Sequence, residues 1–509
     1  MTTAMPTAPA DLKTTLIVGM EIHVELATRS KMWTSAPNVA HPDYFDAEPN
    51  TLLDPVVIGM PGVLPVINER AVEMAVMVGL ALGCEIAKKT KWDRKSYYYP
   101  DLPKNYQISQ YDEPICGEGA MDIPAGDGSD PDDQRTIRIT RAHLEEDAGK
   151  LMHEAPGGIP IDHSIVDLNR AGTPLLEIVT EPDFHTPDEA VTFGRMLRDI
   201  CRHLGVSEGD MQRGHMRFEP NINVHIEKDG EVFKTPVVEI KNLNSFKAVH
   251  GAITYEYQRQ IDEWLETGKV MGARAKSTRG WDDNKGVTTP QREKEDADEY
   301  RYFPDPDLVT VKIDDDRLSE IKATVTELPE AKRKRYTAEY GLSPVDAGTL
   351  LDEPGMTRFY EACIDAGTDP KRAAAMLLNY GSKLANEKGV GVHELSITPE
   401  QVKGVAGLSA ADKIGSSAAA DLFAHCCDSE DSAEALADKH GLIQVSDTGA
   451  LEGFIDQVLT DAKNTKAIDD IKAGKDKAVG ALMGQIMKLS KGQANPKLVT
   501  QMIIQKLRG

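Results

Sequence analysis

The sequence predicts an α+β protein: a large domain on a mixed, mainly antiparallel β-sheet, then a helical domain, then an all-helical C-terminal tail domain. Three observations predict it. Up to about residue 310 the chain carries alternating apolar and polar runs broken by Gly, Pro, Asn and Asp. Strand and helix patterns follow one another there without regular βαβ spacing. From about Asp315 aromatics thin out, Ala and Leu rise, and helical periodicity takes over. A chain of 509 residues is too long for one core. The expected divisions are a disordered lead-in at 1–14, a β-rich domain at 15–309, a helical domain at 310–402 and a helical tail at 403–509.

The elements follow in order. Met1 to Thr15 is rich in Ala, Pro and Thr and lacks the apolar stretch of a signal peptide. Gly19 to Leu26 alternates as a strand does. Ile58 to Pro65 is turn-rich and leads into a helix predicted from about Glu69 to Leu82, ended by Gly83. A second helix is predicted from about Asp188 to Leu204, with Pro187 before it and Gly205 after it. A third covers about Ser245 to Glu266. Strands are predicted near 137–141, 175–179, 221–226 and 236–240, and Pro124 to Gln134 reads as an exposed loop. In the last segment Leu482, Met483, Ile486 and Met487 form a helical stripe suited to core packing.

Composition narrows the function. Hydrophobic content of 40% with 28% charged residues is ordinary for a soluble globular protein. No run of eighteen apolar residues exists, so nothing is expected to span a membrane. The six cysteines show no CxxC spacing, which argues against a zinc ribbon or a disulfide scaffold and fits a reducing cytoplasm. The net charge of −24 disfavours general nucleic-acid binding. The distribution says otherwise: from Ile471 onward eight basic residues, among them Lys472, Lys475, Lys488, Lys491 and Lys497, face one acid, Asp476. A basic end on an acidic chain is a footprint for a polyanion.

The β-rich part carries the chemistry. Read as a strand, Glu21, His23 and Glu25 share one face and Ile22, Val24 and Leu26 the other. Two carboxylates and an imidazole within roughly 13 Å repel or desolvate one another unless a cation sits among them. The alternative is an amphipathic strand with a wet polar face. His143, Glu145, Glu146 and Asp147 stand together further on. Glu177 lies within an apolar run, where a carboxylate needs a partner. Glu239 and Lys241 share a face, and Tyr300, Arg301 and Tyr302 offer a surface for stacking and phosphate contact. Neither a GxxxxGK[ST] loop nor a GxGxxG opening a helix is present. Lys488-Leu-Ser-Lys-Gly492 superficially matches the ATP loop of class I tRNA synthetases, but the His-containing partner motif is missing, so the match is accidental.

The order and spacing of these motifs identify a resemblance. Gly-Met-Glu-Ile-His-Val-Glu-Leu (19–26), Pro-Gly-Val-Leu-Pro-Val (61–66), Asp-Arg-Lys-Ser-Tyr-Tyr-Tyr-Pro-Asp-Leu-Pro-Lys (93–104), Glu-Glu-Asp-Ala-Gly-Lys (145–150), Asp-Leu-Asn-Arg-Ala-Gly-Thr-Pro (167–174), Lys-Asn-Leu-Asn-Ser-Phe (241–246) and Tyr-Arg-Tyr-Phe-Pro-Asp-Pro-Asp (300–307) resemble the B-subunit family of aspartyl/glutamyl-tRNA amidotransferases. Gly-Gln-Ile-Met-Lys-Leu-Ser-Lys-Gly-Gln-Ala-Asn-Pro (484–496) is similar to the family's tail domain.

The resemblance implies that the β-rich part is a cradle-shaped kinase domain. It would use ATP to phosphorylate the side-chain carboxylate of Glu or Asp mischarged on tRNA(Gln) or tRNA(Asn). Ammonia from glutamine, released by a separate amidase subunit, would then displace phosphate. A small third subunit would complete the complex, and the helical and tail domains would hold the tRNA. Mg²⁺ is the expected cofactor, with ATP as co-substrate. Glu21, His23, Glu145, Glu146 and Glu177 are the expected metal ligands, with Glu25, Glu181 and Glu239 as further members. Lys150, Arg94, Lys241 and Arg301 are the expected phosphate contacts. Glu145, Glu146, Lys150, Glu177 and Lys241 form the expected catalytic set, and Lys472, Lys475, Lys488, Lys491 and Lys497 the nucleic-acid contacts.

Two stretches depart from the family pattern. Some members carry zinc-binding cysteine pairs near the positions of Lys31–Ala36 and Leu52–Val56. No Cys stands in either stretch here, so no zinc is expected and packing should hold this corner. Gln212, Arg213 and His215 replace more acidic residues and a Ser, leaving only Glu219 of that stretch as a candidate. Two rival readings, a tRNA synthetase and a purely structural tRNA-binding protein, lack respectively an activation signature and an explanation of the acidic strand clusters.

Overall fold

The computed structural model describes residues 12–126, 133–155, 159–272, 276–293, 300–444, 448–490 and 493–508. The chain divides into two compact units, 1–330 and 331–509.

The strands of the first unit are β1 (Lys13–Glu25), β2 (Lys89–Thr90), β3 (Asp93–Ser96), β4 (Tyr106–Ser109), β5 (Gly119–Pro124), β6 (Gln134–Glu146), β7 (Lys150–Ala155) and β8 (Ile159–Asp167). They continue as β9 (Pro174–Thr180), β10 (Met216–Lys228), β11 (Glu231–Lys234), β12 (Val238–Lys241), β13 (Ser277–Asp282), β14 (Val287–Glu293), β15 (Phe303–Pro304) and β16 (Val311–Lys312). Among the described residues nine strands form the main sheet, in the order β14-β13-β12-β10-β1-β9-β6-β5 with β11 beside β10. Every pairing in it is antiparallel except β12 with β13.

Strand β1 shows why the sheet stands as it does. Val18, Met20, Ile22 and Val24 are buried and join a core with Leu144, Leu176, Ile178, Phe218 and Ile222. Helices α1 (Glu69–Ala81), α2 (Pro187–His203) and α3 (Phe246–Thr267) bury Met74, Val78, Phe193, Leu197, Ile253 and Ile261 in the same core. Their ends follow local chemistry. The Asn68 side chain caps α1 by accepting from Ala71 N. Thr186 and Glu189 form a reciprocal capping box on α2, with Pro187 in its first turn. Ser245 caps α3, and Gly268 ends it at φ +66°.

Strand β1 starts at Lys13, paired with Glu227, so residues 13 and 14 are ordered sheet rather than lead-in. The first unit also continues past 309, because β16 pairs with β2 and Ile313 and Ile321 lie in its core. The predicted loop at 124–134 spans the gap between β5 and β6, and its residues 127–132 lie outside the described ones.

The second unit is helical. One core runs from Tyr336 to Ala437 and a second from Leu451 to Ile503. The expected break at 402/403 falls inside one helix, Pro399–Ala410, whose Val402, Val405 and Ala406 belong to the first core. In the Val479–Leu489 helix Leu482 and Ile486 are buried, with Met483 and Met487 packed beside them.

Candidate active site

Five neighbouring strands, β12, β10, β1, β9 and β6, bring polar side chains to one face of the sheet. Register does this. His23 stands opposite Arg217 on one side and Glu177 on the other, Glu177 stands opposite His143, and Glu21 stands opposite Glu219. Directly paired residues share a face, so each strand adds to the same layer. With Lys95 and Tyr97 beyond β6, and Tyr300 and Tyr302, this layer walls a cavity of about 520 Å³.

Glu177 is its centre. Its Oε2 lies 3.5 Å from His23 Nε2 and 3.6 Å from His143 Nε2. Glu21 Oε1 is 3.8 Å from His23 Nε2, and the two oxygens of Glu145 lie 4.0 Å from His23 and 3.9 Å from His143. Among the described residues three sets of donor atoms fall within 4.8 Å of one another: Glu21–His23–Glu177, His143–Glu145–Glu177 and Glu21–Glu219–Glu239. These carboxylate oxygens and imidazole nitrogens fit a divalent cation such as Mg²⁺ or Mn²⁺. The buried Nδ1 atoms of His23 and His143 have no hydrogen-bond partner, so protein contacts account for neither ring completely.

The charges are strongly coupled. Burial opposes a charge on His23, but the hydrogen bond to Glu177 and the charges of Glu219 and Glu177 lift its pKa to about 9. Burial acts to raise Glu177, yet His143, His23 and Lys95 hold it well below the usual carboxylate range. Burial lowers His143 against the pull of Glu177 and Glu145. Lys95 is held above the ordinary lysine value: burial resists, and Glu145, Tyr302 and Glu177 prevail. Lys241 is also raised, burial being outweighed by Glu219, 2.5 Å away, and Glu239. At the cavity's edge Arg217 spans Glu25 at 3.0 Å and Asp147 at 2.7 Å. Burial and Asp147 push Glu25 up to about 8.

Of the residues expected from sequence, Glu21, His23, Glu145, Glu177, Glu219, Glu239 and Lys241 line the cavity. Others stand elsewhere. Glu146, next to Glu145 on β6, alternates to the opposite side, pairs with Lys104 and accepts from Ile108 N at 2.9 Å. Lys150 is exposed at the start of β7, opposite Asp167. Arg94 is bound to Asp305 at 2.7 Å and Asp307 at 2.9 Å and lies over Tyr106, which makes it a structural tie. Arg301 is exposed at φ +49°, its guanidinium 5.9 Å from the Tyr98 ring. Glu25 sits beside the cavity on Arg217, and Glu181 accepts from Thr140 at 2.8 Å.

Asp147, noted with its acidic neighbours in the sequence, also lines the cavity, whereas sequence reasoning gave no role to Lys95, Tyr97, Arg170 and Arg217. Lys95 adjoins Arg94 and points the other way. The signal was the two-residue alternation of β3, but nothing in the sequence says which side faces the sheet. From the two stretches expected to be held by packing, Ala36 forms a small core with Val57 and Ala171, Leu53 packs against it, and Trp33 meets Trp92 edge-on at 4.8 Å. The first stretch also holds a buried ammonium, that of Lys31.

In the second unit Lys472 and Lys488 are exposed in the last turns of their helices. Lys475 pairs with Asp470 at 3.0 Å and Lys497 with Asp412 at 3.1 Å. Lys491 lies outside the described residues.

Comparison with known proteins finds matches along nearly the whole chain. The family model for the GatB/GatE catalytic domain matches residues 16–319, and that for the GatB domain matches residues 358–507. The B subunit of an aspartyl/glutamyl-tRNA(Asn/Gln) amidotransferase from Rhodopirellula baltica is 41% identical over 96% of each chain. Its namesake from Trichlorobacter lovleyi is 43% identical over 97% of this chain and 99% of its own, and that from Carboxydothermus hydrogenoformans is 42% identical over 96% and 98%. The polar layer on the sheet thus lies within a matched catalytic domain, relatives align along nearly their whole length, and the chain belongs to the GatB family of amidotransferase B subunits.

Proposed function

We propose that this chain is the ATP-using member of a glutamine-dependent tRNA amidotransferase, a carbon–nitrogen ligase, and that the polar cavity is where the aminoacyl group is activated. The observation that carries the reading is the placement of Glu177 between two imidazoles, with Lys95 and Lys241 on the same cavity wall. A carboxylate is a poor acyl donor because its leaving group would be oxide. One side-chain oxygen of Glu or Asp on the tRNA attacks the γ-phosphorus of ATP, and the bond to ADP breaks. The nitrogen of ammonia then attacks the acyl carbon, the carbon–oxygen bond breaks, and phosphate leaves with the amide formed.

A bound Mg²⁺ supplies charge neutralisation at the transferring phosphoryl group. Glu21, His23, Glu145 and Glu177 would hold it. Lys95 and Lys241 offer ammonium groups to phosphate oxygens, held charged by their acidic neighbours. Tyr300 and Tyr302 line the same cavity and offer it aromatic rings. Ammonia comes from a partner amidase, with a small third protein in the same cytoplasmic complex. Mischarged tRNA(Gln) or tRNA(Asn) is the substrate, and Lys472, Lys475, Lys488 and Lys497 supply its phosphate contacts.

The test is phosphate release from labelled ATP by the full complex with Mg²⁺, Glu-tRNA(Gln) and ammonium. Release should require the mischarged tRNA and fall about 10³-fold in Glu177→Gln. Release that survives this substitution would move the ATP site to a partner protein.

A further inference from the structure

Lys31 has no exposed side-chain surface. No carboxylate lies within ion-pair distance of its ammonium among the described residues. Instead Nζ donates to two backbone carbonyls, Asn169 O at 2.6 Å and Ala171 O at 2.5 Å. These carbonyls flank Arg170. The same turn is tied from the neighbouring loop by Met32 N donating to Gly172 O at 2.8 Å. The Asn169 side chain accepts from Leu52 N at 2.9 Å and donates to Glu48 O at 2.8 Å.

Arg170 leaves this turn toward the cavity, whose wall it joins. Its Nε donates to Ala148 O at 3.0 Å and its Nη2 to Gly149 O at 2.7 Å, and Nε lies 3.7 Å from Asp147. Asp147 in turn holds Arg217 at 2.7 Å. Nη1 of Arg170 makes no hydrogen bond among the described residues. A guanidinium fixed by two of its nitrogens and open at the third is arranged to meet an anion.

Burying a lysine is costly, and this one supports no carboxylate. Burial holds its pKa down at about 7, against the pull of Asp54, Glu146 and Asp167. Protonated or neutral, the amine has enough N–H groups for both carbonyls. We propose that Lys31 is a positioning residue for the nucleotide: by clamping the carbonyls on both sides of Arg170 it aims that guanidinium at the phosphates of ATP. This rests on the reading that ATP binds in the cavity.

The experiment is a double-mutant cycle in the full complex, with KM for ATP, kcat and thermal unfolding measured for each variant. Lys31→Met keeps the side-chain stem and removes the donors. Arg170→Lys keeps the charge but replaces the planar fork, whose separate Nε and Nη2 donate to Ala148 O and Gly149 O, by a single nitrogen. Each single variant should raise KM for ATP about tenfold with kcat within about twofold, and the double variant should lose no more than the worse single one. An unchanged KM in either single variant, or losses that multiply, overturns the proposal. Should Lys31→Met not fold, Asn169→Ala, which frees the same turn from Leu52 and Glu48, takes its place with the same expectations. Glu177→Gln in the same assay separates the two readings. If it leaves ATP turnover intact, the cavity is not the ATP site. If it abolishes turnover while KM stays unchanged in Arg170→Lys, only the role of Lys31 and Arg170 fails.

Discussion

In the cavity Glu177 serves two imidazoles, and Lys95 feels Glu145 and Glu177 together, whereas in the C-terminal helices basic side chains meet acids one to one: Lys475 with Asp470, Lys497 with Asp412, Lys506 with Asp456. The first arrangement is buried and the second largely exposed. Shared, desolvated charges cannot relax independently, so they shift one another's ionisation and hold a fixed field for an incoming phosphate. Exposed pairs are screened by salt, are worth roughly 0–1 kcal/mol each, and exchange partners easily. Under the proposed function, the first region would act on a reacting group and the second would let go of its acids when a polyanion arrives.

That contrast can be broken most visibly inside the cavity. Lys95→Met should lower tRNA-dependent ATP turnover about 10²-fold or more. Arg94→Met, one residue away, should leave turnover within a few-fold but lower stability by roughly 3 kcal/mol, since Asp305 stays buried without its partner. Steady-state kinetics and thermal unfolding of the two variants decide it, and equal kinetic losses would erase the distinction between the sides of β3.

A smaller effect sharpens the point about burial. Lys31 has a pKa of about 7 in the folded protein against 10.5 for an ordinary lysine. The unfolded chain therefore binds more protons between those values, and the cost of burying the charge, complete below pH 7, fades as pH rises toward 10.5. Wild type should gain stability relative to Lys31→Met from pH 6.5 to 9.5 in parallel denaturation curves. A difference that does not change with pH would mean the amine is charged throughout.

The smallest effect belongs to the helical end. Lys488→Ala should weaken tRNA binding about threefold and make the slope of log affinity against log salt shallower by about 1, with turnover at saturating tRNA unchanged. Lys497→Ala should do less, because Asp412 already neutralises that ammonium. Filter binding across a salt series compares them.

What could be read in advance follows the same physics. Alternation on β1 placed Glu21 and His23 on a polar face, and caps and glycines bounded α1, α2 and α3 to within a residue or two. Glu177 was legible because a carboxylate in an apolar run demands partners, and it has two. Glu146, Arg94, Arg301 and Lys150 were expected at the site from their charge and from the motifs that carry the resemblance, but a strand sends neighbours to opposite sides, and a turn can carry a residue out of the cavity altogether. Arg170 and Lys31 were invisible for another reason. Their roles depend on backbone carbonyls, which every residue possesses and no sequence marks.

The pairing of β1 with β10 joins Lys13 to Glu227. During synthesis the first strand must therefore wait for roughly 200 further residues, about 10–40 s at ribosomal rates, before its long neighbour exists. β9 can pair with Glu21–Glu25 sooner, but until β10 exists the other edge of β1 has an unpaired backbone available to other chains. Expression of this protein should accordingly depend on what shelters a nascent strand, and a fast-translating host would shorten the wait.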